Sequence, residues 1–387
     1  MVTPRPSGTA GLVLSGGGAR GAYQVGVLKA LAEAMPGPTP FPVITGVSVG
    51  AINAVVLAEG ADDFPASVQK LEDLWRAINC STIFVSDALP LFSRLLRWSS
   101  SLGLGWTGLE TPRSLLDASP LRRLIKSRVD FDRIRLMVDK GALSALAVTA
   151  SSYCTGQSVT FYQAGPDQKS WERSRRLGKR TDITVDHVMA SAALPAIFQS
   201  RKLGHEWFGD GALRQTAPLS PAIHLGCDNL LLIAARDGVI DDVPEVGPDQ
   251  PYPSFGVLGG QLLDIVFNDN LDADVERLKR VNGTLGVMMP ERLKRTDLRM
   301  IGTHMVRPSA DIRTLTGDHI DELPWSVKVV LGGLGAMREP WMLPSYLTFE
   351  PGYIGALIDL GYHDGKRDLR ILADFITKRH PSQRAIQ

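Results

Sequence analysis

Residues 42–59 read PVITGVSVGAINAVVLAE. Pro42 to Val47 is short, apolar and β-branched, a composition that predicts a buried strand. From about Val49 to Glu59 the apolar run continues past strand length, which predicts a helix. Ser48 lies at the junction, between Gly46 and Gly50. The uncharged run Val43 to Ala58 contains Gly46, Ser48, Gly50 and Asn53 and falls short of the roughly 18 apolar residues of a membrane span. It therefore reads as a buried strand turning sharply into a buried helix.

The same grammar recurs on both sides. Gly11 to Ser15 (GLVLS) predicts a buried strand, followed at once by Gly16-Gly17-Gly18-Ala19-Arg20-Gly21 and a helix over Ala22 to Ala34 that Met35-Pro36-Gly37-Pro38 ends. Phe64 to Ile78 carries Val68, Leu71, Leu74, Trp75 and Ile78 at helical spacing. Further strands are expected at Leu143–Thr149, Val159–Tyr162 and Leu230–Ala234. A short one is expected at Val287–Met289, after a helix around Leu262–Val281. Strands alternating with helices imply an α/β fold, three-layer α/β/α with a mostly parallel central sheet. Ser81–Asp117, rich in Leu, Phe, Trp and Ser, and the basic stretch Pro166–Thr181 interrupt the rhythm. A change of character after residue 226 suggests a tail over 1–10, a first domain over 11–226 and a C-terminal region over 227–387, packed on it.

Composition narrows the function. The 42 Lys+Arg against 41 Asp+Glu argue against nucleic acid as the main partner. A local apolar or basic patch on a peripheral enzyme remains compatible with that balance. Cys80, Cys154 and Cys227 are odd in number and form no C-x-x-C or zinc spacing, so a reducing compartment and no metal site are expected. Leu12-Val13-Leu14 is too short for a signal-peptide apolar region, which makes a cytoplasmic location the expectation. Oligomeric state is left open.

Gly46-Val47-Ser48-Val49-Gly50 is a G-x-S-x-G sequence at a strand-to-helix turn, the setting that lifts a serine hydroxyl clear of the backbone for acyl transfer. The helix that starts there turns its positive end toward charge developing on a substrate oxygen. Gly16 to Gly21 has two readings. It suits an oxyanion hole, with bare backbone N–H groups close to the reacting oxygen. Gly16, Gly18 and Gly21 also fit G-x-G-x-x-G, but a dinucleotide site needs an acid at the end of the next strand, and that strand ends in Gly46-Val47-Ser48. Asp210-Gly211-Ala212 places a carboxylate in a tight turn. A serine needs a base; the pattern leaves open whether Asp210 or one of His187, His205, His224, His304, His319, His363 and His380 supplies it.

The ordered set G-G-G-A-R-G, G-V-S-V-G and D-G-A resembles the patatin-like phospholipases, as does Ala190-Ser191-Ala192-Ala193-Leu194-Pro195-Ala196-Ile197-Phe198 before the aspartate. The resemblance covers Gly11 to Gly226 and implies a Ser–Asp dyad. On it, Ser48 is the nucleophile and Asp210 its base. Gly17, Gly18 and Ala19 form the oxyanion hole, and Arg20 holds the loop. Gly16, Gly21, Gly46, Gly50, Gly211 and Ala212 complete the motifs. Ala212 stands where many relatives have glycine. A serine acyl hydrolase acting on lipid esters, without cofactor or metal, is the expected function. An acyltransferase with the same acyl-enzyme and a non-catalytic lipid-binding protein are the alternatives. Leu89 to Trp98, with Trp106, reads as packing against the domain, with a cover over the site or a membrane contact as the alternatives. Arg173, Arg175, Arg176, Lys179 and Arg180 read as a solvated loop, with anionic headgroups as the alternative. The block that contains Ser191 reads as structural support for the aspartate turn, with the Ser191 hydroxyl at most one step removed from the chemistry.

Overall fold

Every residue of Ala10–Leu14 (β1), Val43–Val47 (β2) and Asn229–Ile233 (β9) is buried, which is what a parallel strand covered on both faces requires. The computed structural model describes residues 9–85, 114–236, 252–293 and 295–377. The other strands among the described residues are Ala145–Ser152 (β3), Ser158–Ala164 (β4), Trp171–Arg173 (β5), Arg176–Arg180 (β6), Arg201–Leu203 (β7), Glu206–Asp210 (β8) and Gly302–Val306 (β10). One sheet takes in all of them, in the order β10-β9-β1-β2-β3-β4-β6-β5, with the β7–β8 hairpin attached to β3. From β10 to β3 every neighbour is parallel.

Alternate residues of the central strands feed two cores. Leu12, Leu14, Ile44, Leu146 and Val148 face one side; Val13, Val43, Ala145, Ala147 and Leu232 face the other. The first core is closed by Ala22–Ala34 (α1), Val49–Glu59 (α2), Phe64–Arg76 (α3) and the long helix Pro351–Thr377. The second is closed in part by Leu271 and Val275 of the helix Asn270–Gly286. The architecture is therefore three layers, α/β/α, around a mostly parallel sheet. No helix among the described residues is long and apolar enough to cross a membrane.

Some expectations change. Val287–Met289 is not a strand: Val287 is 85% exposed and follows the end of a helix, while Gly302–Val306 takes the place beside β9. A three-residue apolar run carries no period by which to tell a strand from a frayed helix end. Pro166–Thr181 contains the β5–β6 hairpin, in which the stacked rings of Tyr162, Trp171 and His224 supply packing that the basic residues hide. Two strands, β9 and β10, come from beyond residue 226. Leu89–Trp98 and Trp106 lie outside the described residues.

Candidate active site

Strand lengths bring Ser48 and Asp210 together. β2 pairs with β3 from Ala145 to Thr149 and stops at Val47. The edge of β3 then continues, and β8 takes over at Ala150 to Ser152, running the opposite way and ending at Asp210 opposite Ala150. The residue after β2 and the last residue of β8 thus meet at one junction beside β3.

At that junction Ser48 has φ 54° and ψ −125°, a left-handed backbone that a serine adopts only when its surroundings impose it. The restraints are visible. Ser48 N–H donates to Ser191 Oγ at 2.9 Å, and that hydroxyl donates to the Thr149 carbonyl at 2.6 Å. Gly46 and Gly50 leave no room for a Cβ, which would stand 2.2 Å from Gly50 O and 2.3 Å from Leu14 O respectively. The turn is therefore built from small residues and one buried hydroxyl. The block around Ser191, which the sequence suggests as support for the aspartate turn, serves both residues, and the Ser191 hydroxyl holds the backbone of the serine. Ala193 of the same block serves the aspartate, accepting from Asp210 N–H at 2.8 Å.

Asp210 is fully buried. Its Oδ1 accepts from Ala212 N–H at 2.9 Å, whereas Oδ2 has no hydrogen-bond partner among the described residues. Burial pushes its pKa up to about 7; the nearby Ser48 hydroxyl and the Ala212 N–H pull against that rise. Ser48 and Asp210 thus lie close enough to interact, short of full hydrogen-bond geometry. Of the seven histidines, His380 lies outside the described residues and none of the others lines the cavity at Ser48. Burial holds His187 down at about 4 in its place against Phe161, and His224 at about 4 where it stacks on Trp171.

The glycine loop closes the other side. Gly17 and Gly18 have φ 151° and 56°, and Gly18 opens a short 3₁₀ turn that leads into α1. Among the described residues the N–H groups of Gly17, Gly18 and Ala19 have no hydrogen-bond partner. A Cβ on Gly16 would stand 3.2 Å from Ser48 Cβ, which measures how closely the loop approaches the serine. Gly18 and Ser48 share a narrow cavity, about 50 Å³ open to the centre of a water-sized sphere, whose wall is otherwise apolar: Ile52, Trp75, Leu121, Ile125, Phe198 and Phe349 are among its residues. Phe349 belongs to the C-terminal region, and neither it nor the cavity is legible from local motifs.

Among the described residues the arrangement joins a serine hydroxyl at a strained turn, a buried carboxylate with one uncommitted oxygen, N–H groups without partners and an apolar slot. A model described as patatin-like phospholipase matches residues 12–223, more than half of the chain. A 55-residue stretch is 54% identical to lysophospholipase nte1 of Aspergillus terreus, and a 56-residue stretch is 48% identical to lysophospholipase NTE1 of Coccidioides immitis. Each stretch is 14% of this chain and spans 3% of the relative's length. Among solved structures, VipD from Legionella pneumophila is 12% identical with a TM-score of 0.39, over 95% of this chain and 67% of that one. Human GIVD cytosolic phospholipase A2 is 12% identical with a TM-score of 0.42, over 96% and 59%. At such scores neither likeness adds to what the sheet order itself shows.

Proposed function

The chain belongs to the patatin-like phospholipase family, and from that membership we propose that it is a serine acyl hydrolase that cleaves lipid carboxylic esters through Ser48 and Asp210. The observation that carries this reading is the junction itself: a serine in left-handed backbone beside a fully buried carboxylate whose Oδ2 has no partner among the described residues. Asp210 takes the Ser48 proton as Oγ bonds to the ester carbonyl carbon, and the carbonyl electrons move onto its oxygen. The N–H groups of Gly17, Gly18 and Ala19 hold that oxyanion, with the start of α2 turned toward it. Collapse breaks the bond to the alcohol, which leaves with the proton from Asp210. Water then repeats the sequence on the acyl-enzyme, again giving its proton to Asp210, and frees the acid. The acyl chain occupies the apolar cavity.

The residues from Thr9 to Thr377 act as one catalytic unit on this reading, because strands from both sides of residue 226 build its sheet. Contact with a membrane surface is assigned to the outer side of the helix Phe255–Asp264. There Phe255 is 81% and Leu262 62% exposed, with Leu258 and, one turn on, Ile265 in the same row. A surface helix ordinarily turns polar residues outward.

The deciding experiment is turnover of a medium-chain p-nitrophenyl ester by wild type, Ser48→Ala and Asp210→Asn, with fluorophosphonate labelling in parallel. Wild type is expected to turn over and label, Ser48→Ala to do neither, and Asp210→Asn to lose at least about a thousandfold in turnover. Near-normal turnover by Asp210→Asn would assign the base to another group.

A further inference from the structure

The backbone of the glycine loop has little of its own to hold it. Gly17 and Gly18 are conformationally permissive, and the 3₁₀ turn Gly18–Gly21 is a single short one. An oxyanion hole works only if its donors already point at the place where charge will develop. Whatever fixes this loop therefore bears on the rate.

The fixing groups come from elsewhere in the chain. Arg20 is 2% exposed. Its Nε and one terminal nitrogen donate to Ser345 Oγ at 3.0 and 2.6 Å. The other terminal nitrogen donates to Asp264 Oδ1 at 3.1 Å and to Tyr346 Oη at 3.0 Å. Tyr346 also donates from its hydroxyl to Asp264 Oδ1 and lays its ring 3.8 Å from the guanidinium carbon. Asn268 Nδ2 reaches the same two oxygens at 3.4 and 3.3 Å. The backbone joins in: a Cβ on Gly18 would stand 2.3 Å from the Tyr346 carbonyl oxygen, and one on Gly16 would stand 2.5 Å from the Phe267 ring. Phe267 in turn stacks on Tyr346, with centroids 5.6 Å apart.

All these partners lie beyond residues 12–223, the span that matches the family. A guanidinium presents its donors in a rigid planar fork, so anchoring several of them fixes the orientation of Arg20 and, through it, the turn it belongs to. Resting on the acyl-hydrolase reading above, we infer that Asp264 and Tyr346 are positioning residues of the oxyanion hole: through Arg20 they aim the N–H groups of Gly17, Gly18 and Ala19. The C-terminal region thereby takes part in the chemistry without touching the substrate's reacting atoms. Burying the Arg20 charge for stability alone would need a counter-ion. It would not need the carbonyl of Tyr346 pressed on Gly18 or the ring of Phe267 on Gly16.

The test uses the full chain with Tyr346→Phe, which keeps the ring and removes the hydroxyl, and Asp264→Asn. Three quantities are read: kcat and KM on the p-nitrophenyl ester, affinity for an alkyl trifluoromethyl ketone, and amide hydrogen exchange over residues 16–21. The ketone carbon bonds to Ser48 Oγ, its oxygen becomes the oxyanion and the serine proton passes to Asp210, so its affinity reports on the hole. For Tyr346→Phe, kcat is expected to fall about 10- to 100-fold with KM within about twofold. Ketone affinity falls in parallel, and exchange over 16–21 quickens while the rest of the sheet keeps its protection. Asp264→Asn has the larger effect; if it fails to fold, Tyr346→Phe decides alone. Wild-type kcat, ketone affinity and loop exchange in Tyr346→Phe overturn the inference. So does loosening spread evenly over the molecule with kcat per folded chain unchanged. Exchange is read on the unreacted protein, so a wild type inert toward every ester defeats the acyl-hydrolase reading, while loop exchange still decides whether Tyr346 and Asp264 hold the turn.

Discussion

A carboxylate that must accept a proton near neutral pH is useful only if its pKa is near neutral, and Asp210 reaches that value through burial. Turnover limited by its ionised form is expected to rise with pH through about 7 and level off above it, a profile that a pH series of kcat/KM would display. The same shift lowers stability. The folded state holds the Asp210 proton up to about 7, whereas the unfolded chain releases it near the ordinary value of 3.8. The favourable contribution is therefore full below 3.8 and is lost as pH rises through about 7. Asp210→Asn removes this ionisation and keeps an acceptor for Ala212 N–H. Its stability is expected to exceed that of wild type at pH 8 by up to about 4 kcal/mol, read as a higher melting temperature, and to approach it at pH 4. A gap that shrinks with rising pH would contradict the assignment. Ser48 and Asp210 stand out in the sequence because each sits in a short motif of small residues. The part played by Ser191 does not, since its bond to the Ser48 N–H joins positions 143 residues apart.

Among elements, the helix Ser119–Arg128 gives the cavity its far-from-motif character. Leu121, Leu124 and Ile125 face the space shared with Ser48, while Arg122 pairs with Asp186 outside. Shortening that space should shorten the acyl chain accepted. Leu124→Trp is expected to lower kcat/KM for decanoyl and dodecanoyl p-nitrophenyl esters at least tenfold and to leave acetyl and butyryl esters nearly unchanged. Each methylene that loses its apolar berth costs about 0.8 kcal/mol. A uniform fall across all chain lengths would place the acyl chain elsewhere. The early helices and strands are legible because their apolar residues keep a clear period. Gly302–Val306 is not: its residues are mostly half-buried, with His304 set against Phe375, and an edge strand of that kind lacks the continuous apolar run of β1 or β9.

At the scale of the molecule, the row Phe255, Leu258, Leu262 and Ile265 lies on the helix whose inward side carries Asp264, so an outer surface and the glycine loop share one element. Leu262→Asp is expected to reduce co-sedimentation with phosphatidylcholine vesicles severalfold and to leave hydrolysis of a soluble short-chain ester unchanged. Unaltered sedimentation would show that this row does not meet the bilayer. Helix α1 and the helix Pro351–Thr377 approach so closely that a Cβ on Gly361 would stand 2.1 Å from Tyr23 O, which ties this long C-terminal helix to the one that follows the glycine loop. Such long-range packing leaves no local signature, and the boundary expected at residue 226 reflects where recognisable motifs end.

The position of β1 between β2 and β9 has a consequence for how the chain is made. The ribosome delivers β1 and β2 early, but the other margin of β1 waits for residues 229–233, and the margin of β9 waits for 302–306. During elongation a fully apolar strand therefore stands with an open row of peptide groups, the condition under which nascent chains stick to one another. A message truncated near codon 226 would yield a product carrying the glycine loop, Ser48 and Asp210 on a permanently unzipped sheet. The open margin of β9 would accordingly close only once β10 has left the exit tunnel.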